Sequence, residues 1–98
     1  MYTDCMDFEQ IRLIAAKNRV QRLEIFGSAS RGEPANDFDF LVHFEPMPAL
    51  EHGRAYFSLL EELRLALNKP IDLLEEKAIE NQFFLQSIAL DKKLVYAA

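Results

Sequence analysis

Between Asp37 and Phe44 the chain alternates strictly, with Phe38, Phe40, Val42 and Phe44 on one side and Asp37, Asp39, Leu41 and His43 on the other. Successive side chains of a strand point to opposite faces, so this period predicts a strand whose phenylalanines face a core. Upstream, residues 20–26 predict a first strand ending at Gly27, and Ser28 to Arg31 a short helical turn. Phe8, Ile11, Ile14, Ala15 and the nearby Leu13 recur at helical spacing and predict a helix over residues 7–18. Asp7 would cap it, and Lys17-Asn18-Arg19 supplies the basic, turn-forming end. Glu45-Pro46-Met47-Pro48 stops the alternating strand, since proline removes a ladder donor.

A long helix is expected from about Leu50 to Leu67, with Tyr56, Phe57, Leu60, Leu63 and Leu67 as its buried face and Gly53 weakening its first turns. Asn68-Lys69-Pro70 ends it, and Ile71-Asp72-Leu73-Leu74 reads as a short strand. A last helix is expected from Ile79 or Asn81 to Asp91, with Phe84, Leu85, Ile88 and Ala89 inward. Val95-Tyr96 then adds a terminal strand or packs against the sheet. The alternation of element types predicts an α/β fold in one domain over residues 1–98, without repeats or linkers.

Composition narrows the function. A chain of 98 residues can bury a real core without staples. Its net charge of −5 and pI near 4.9 argue against gripping a long nucleic acid, which needs a basic track. An acidic surface suits a basic protein partner instead. Cys5 is the single cysteine, so no intrachain disulfide can form and a reducing compartment is expected. Met1 to Gln10 shows no signal-peptide pattern, and no segment approaches the ~20 apolar residues of a membrane helix. The expectation is a cytoplasmic protein.

The chemistry sits between Ile25 and Val42. Asp37 and Asp39 share one face of a strand, roughly 6.6 Å apart, and two carboxylates that close repel unless a cation neutralises them. Taken singly, the pieces are ordinary. Asp-x-Asp marks a solvated strand end more often than a metal site, and Gly-Ser is common in turns. Their combination is not ordinary. A strand ends in Phe26, Gly27-Ser28 follows at once, Arg31-Gly32 comes next, and Asp-Phe-Asp opens another strand. Backbone N–H groups and a hydroxyl can hold phosphate oxygens, and paired carboxylates can hold Mg²⁺ shared with those phosphates. These are the parts of a nucleoside triphosphate site. It is not the lysine-bearing phosphate loop, because no lysine follows the second glycine. Asp72 interrupts an apolar strand and by itself reads as a strand-edge residue facing water.

The stretch resembles the Gly-Ser…Asp-x-Asp signature of the DNA polymerase β-like nucleotidyltransferases, and the short length is similar to their smallest branch, the minimal nucleotidyltransferases. The resemblance runs from the first helix to Val95-Tyr96. Asn36 departs from it, standing where the family has serine, and the excursion from Ser28 to Asp37 is shorter than usual. Neither departure removes a ligand.

The resemblance implies a nucleotidyltransferase fold, with a small mixed sheet of three or four strands and about four helices. It implies that Asp37, Asp39 and Asp72 are the catalytic and metal-binding carboxylates, holding two Mg²⁺ ions or Mn²⁺ in their place. Gly27 and Ser28 would meet the β,γ-phosphates of ATP. Arg31 either reaches the triphosphate or pairs with Glu33 and holds the loop.

The implied reaction moves a nucleotide, AMP from ATP, onto a protein hydroxyl. The implied acceptor is a tyrosine of a HEPN-type toxin that this chain would silence as its antitoxin, in a homo- or hetero-oligomer. The alternatives are an antitoxin that masks its partner by contact alone and a transferase acting on a small molecule such as an aminoglycoside. His43 and His52 are expected to be solvated or partner-facing, and Glu75-Glu76-Lys77 a solvated charge run.

Overall fold

A computed structural model describes residues 8–33 and 36–98. In chain order its elements are α1 (Phe8–Lys17), β1 (Val20–Phe26), a 3-10 turn (Ser28–Arg31), β2 (Phe38–Phe44), α2 (Ala49–Leu67), β3 (Ile71–Glu75), a second 3-10 turn (Glu76–Ala78), α3 (Gln82–Asp91) and β4 (Lys93–Ala97). The expected cap Asp7 lies outside the described residues. Among those described there are three α-helices and two 3-10 turns, where about four helices were expected. Val95-Tyr96 belongs to a true strand.

The sheet runs β3-β2-β1-β4. β1 pairs antiparallel with both β2 and β4, and β2 pairs parallel with β3. A parallel neighbour cannot be reached by a hairpin, so the chain needs a crossover, and α2 supplies it. The alternation in β2 places Phe40, Val42 and Phe44 in the main core, with Leu23 and Ile25 of β1, Leu73 of β3 and Val95 of β4. Ile11 and Ala15 of α1 and Leu59 and Leu63 of α2 close that core, all four without exposed surface. Each of these large side chains contributes about 1.5–3 kcal/mol by leaving water.

Helix ends are tied as well as packed. Asn18, buried after α1, donates from its side-chain amide to the Ile14 carbonyl at 2.8 Å and to Glu62 of α2 at 2.5 Å. Arg12 of α1 donates to the Val95 carbonyl of β4 at 3.1 Å. The Asn81 side chain accepts from the Phe84 N–H at 3.1 Å, which starts α3.

The opposite sheet face is covered too. Phe26, Leu41 and Ile88 form a second cluster with Leu74 and Ile79 around it. Leu41, on the aspartate side of β2, is therefore buried, because α3 lies across it.

Several expected core positions face water. Phe57 is 67% exposed, while Leu59, absent from the expected face, is fully buried. Successive helical residues turn by about 100°, so a stripe through Tyr56, Leu59, Leu60, Leu63 and Leu67 leaves Phe57 off to one side. There it stands edge-on to Tyr56, with ring centroids 5.3 Å apart. Leu13 of α1 is exposed for the same reason, while Phe8 shares the face of Ile11 and Ala15 but stands at the first residue of the helix, 39% exposed. In α3 only Ile88 is buried; Phe84 rests half-covered on Phe26, Leu85 is half-buried and Ala89 is exposed.

Candidate active site

The site forms where β1 ends, β2 begins and β3 begins. Phe26, the last residue of β1, stands opposite Asp39, and Asp39 stands beside Asp72 in the parallel pair. Register alone thus brings the carboxylates of β2 and β3 together. A hydrogen bond from the Phe38 N–H to the Pro70 carbonyl, 3.1 Å, starts that pairing directly below them. The ligand oxygens of Asp37, Asp39 and Asp72 all lie within 4.8 Å of one another, with Asp37 and Asp72 exposed and Asp39 half-buried.

Charge is concentrated there. Burial first, then a hydrogen bond with Asp72 and the negative charges of Asp37 and Asp72, push the Asp39 carboxyl up to about 6. A cation held among the three would relieve the crowding that burial and its two neighbours impose on Asp39. Oxygen-only ligation at this spacing fits Mg²⁺ or Mn²⁺.

Gly27 folds back against this cluster with φ 77° and ψ −158°. A Cβ at that position would stand 2.5 Å from Asp39 Oδ2, so both the backbone angle and the space demand glycine. Ser30, a residue no motif marks, holds the bend. It is buried, and its hydroxyl and its N–H both donate to the Gly27 carbonyl, at 2.6 and 3.1 Å. Its only sequence signal is a small polar residue inside the Gly-Ser turn. Ser28 is partly exposed at the start of that turn.

The Arg31 guanidinium is engaged on both sides, with Glu33 at 3.1 Å and Asp91 of α3 at 2.6 Å. The pairing with Glu33 was one of its two expected roles. The bridge to Asp91 adds a tie from the glycine turn to α3 that residue order alone does not show.

Tyr56 of α2, expected as plain core, donates its hydroxyl to the Leu73 carbonyl at 2.6 Å. It thereby braces β3 one residue from Asp72. Burial, and then the charges of Glu75 and Asp72, raise its pKa.

The histidines stand at the far end of β2 and do not join the aspartates. They and the Glu75-Glu76 pair keep partial exposure while contacting one another. His43 is half-buried against Glu76 at 2.9 Å, and His52 contacts Glu75 at 2.6 Å while packing on the Phe44 ring.

Comparison with known proteins follows the same lines. Residues 9–96 match the family described as Nucleotidyltransferase domain. The chain is 32% identical over 89 residues to a Methanocaldococcus jannaschii protein named, provisionally, as a protein adenylyltransferase, covering 87% of this chain and 84% of that one. It superimposes on a chain of a toxin–antitoxin complex solved with AMP-PNP, with TM-score 0.71, 21% identity and coverage of 95% of this chain and 75% of that one. It likewise resembles a chain from the complex of tri-AMPylated Shewanella oneidensis HEPN toxin with its MNT antitoxin. There the TM-score is 0.64 at 20% identity, over 93% of this chain and 70% of that one.

Proposed function

This chain belongs to the nucleotidyltransferase domain family, and from that premise we propose that it moves AMP from ATP onto a hydroxyl of a partner protein, as the antitoxin of a HEPN-type toxin. The observation that carries the reading is the convergence of Asp37, Asp39 and Asp72 beside a turn that only glycine can make. The AMP-PNP complex and the AMPylated toxin among the structural relatives support the choice of nucleotide and acceptor.

In the proposed reaction the acceptor hydroxyl gives up its proton to Asp72, its oxygen bonds to the α-phosphorus, the bond from that phosphorus to the bridging oxygen breaks, and pyrophosphate leaves. Asp37 and Asp39 would hold the divalent ions together with Asp72. Bound there, such ions supply charge neutralisation for the triphosphate and a lowered pKa for the attacking hydroxyl. The protein's own part is position. Gly27 keeps the approach to the carboxylates clear of side-chain atoms, and Ser30 fixes the turn so that Ser28 faces the phosphates. Asp72, on the neighbouring strand, prepares the acceptor hydroxyl. Arg31 reaches the triphosphate only by leaving Asp91 and Glu33. The acceptor comes from the partner. No helix among the described residues is long and apolar enough to cross a membrane.

A second reading, masking of the partner by contact alone, draws on the exposed Phe83, Leu90 and Leu94 along α3 and β4. One experiment separates the two. Mixed with its cognate partner and α-labelled ATP, the wild-type chain should place label covalently on that partner, and Asp39→Asn should not. Full neutralisation by the mutant, with no label transferred by the wild type, establishes masking instead.

A further inference from the structure

A second group of metal-competent side chains lies on the aspartate face of the sheet but at its other end. Glu24 of β1, His43 of β2 and Glu76 of the second 3-10 turn place ligand atoms within 4.8 Å of one another. The register explains the meeting of the first two. Arg22 stands opposite His43 and Glu24 opposite Leu41, so Glu24 and His43 are diagonal neighbours on one face. Four residues of strand, about 13 Å, separate His43 from Asp39. This group is independent of the transfer site and of the function proposed for it.

Two further observations set it apart from an ordinary acidic patch. Glu24 is only 7% exposed, and its Oε1 is buried without a hydrogen-bond partner among the described residues. The nearest cations, Lys92 Nζ at 3.6 Å and Arg22 Nε at 3.8 Å, stand beyond hydrogen-bond distance. In addition, His43 Nε2 faces both Glu76 Oε1 at 2.9 Å and an Arg22 guanidinium nitrogen at 3.3 Å. One ring nitrogen cannot donate to a carboxylate and accept from a guanidinium together. A metal ion in the place of the Arg22 head removes both conflicts. It takes the Nε2 lone pair, a Glu76 oxygen and the buried Glu24 Oε1, in place of that oxygen's longer ion pairs with Lys92 and Arg22. Both cations that now stand beside Glu24, Arg22 with a side chain 45% exposed and Lys92 with one 28% exposed, have solvent to turn into.

We propose that Glu24, His43 and Glu76 form a second metal site, selective for Zn²⁺ and similar transition ions. One imidazole with two carboxylates is a ligand set such ions accept, whereas Mg²⁺ favours the all-oxygen aspartate trio. The bound ion would pin the turn after β3 to β1 and β2.

The test titrates ZnCl₂ into metal-free Asp39→Asn protein, which weakens competition from the aspartates. Calorimetry is read alongside the side-chain ¹⁵N resonances of both histidines. The expected result is one equivalent bound with the His43 Nε2 resonance shifted, the His52 ring unchanged, and a higher Tm. Adding His43→Ala, Glu24→Gln or Glu76→Gln should each weaken binding at least ~10-fold, a loss no smaller than that from altering an outer-shell partner, while His52→Ala should not. Glu76, on a partly exposed turn, keeps the test valid should a substitution at Glu24 impair folding. Zn²⁺ binding that leaves His43 unshifted, or that is equally tight without His43 and Glu76, overturns the proposal.

Discussion

Gly27 and Asp39 together define what single residues contribute to the transfer site. The missing side chain at Gly27 is a requirement of both angle and space. Gly27→Ala would place a methyl group 2.5 Å from Asp39 Oδ2 at a φ of 77°. The backbone strain alone costs about 1–3 kcal/mol, and Mg-ATP affinity should fall as the carboxylate is displaced; calorimetry and a melting curve check both. Asp39 carries the opposite problem, a charge the fold resists. Its carboxyl titrates near 6 in the folded chain, against an ordinary value of 3.8. The folded state therefore binds more protons across that window. Metal-free protein should lose stability as pH rises from about 4 to about 6, and the deficit should persist at pH 7. Asp39→Asn in EDTA at pH 7 should then melt higher than wild type, by up to about 1 kcal/mol once solvent screening is allowed for. For a domain this size that is roughly 4–8 °C. An equal or lower Tm would mean that the carboxylates are not in conflict.

At the scale of elements, much was legible because burial on one face imposes a period. The alternation of β2 was enough to place Phe40, Val42 and Phe44 in the core and Asp39 opposite them. The first strand and the Gly-Ser turn also fall where expected, whereas β2 starts at Phe38, β3 runs on to Glu75 and β4 spans Lys93–Ala97. Helix faces were harder to read. On α2 an apolar residue lies at nearly every angle, so spacing admits Phe57 as readily as Leu59, and only the sheet's position decides between them. Leu59→Ala should accordingly cost about 2–5 kcal/mol, and Phe57→Ala within about 0.5 kcal/mol, as measured by urea unfolding. Equal costs would mean that the helix is rotated from the position described. Side-chain ties between elements, such as Tyr56 to Leu73 and Arg31 to Asp91, leave no periodic trace, since each depends on where a distant element lands.

For the whole molecule, the site depends on topology. Asp72 lies far along the chain from Asp39 and meets it only because α2 carries β3 back parallel to β2. Its residue type alone read as a solvated strand edge. Family resemblance assigned it to the site, and register brings its carboxylate there. An acidic chain of net charge −5 should not welcome a tetra-anionic nucleotide unaided. ATP should therefore bind in excess Mg²⁺ and lose most of its affinity in EDTA, and equal affinity in both would remove the ions from the site. The most direct test of the account is Asp72→Asn, with nucleotide binding and transfer to the cognate partner measured on the same folded protein. If three carboxylates divide the work as proposed, Mg-ATP should still bind within a few-fold of wild type while transfer of α-labelled AMP falls at least ~100-fold. Transfer at a near-normal rate by folded Asp72→Asn protein would contradict the three-carboxylate site.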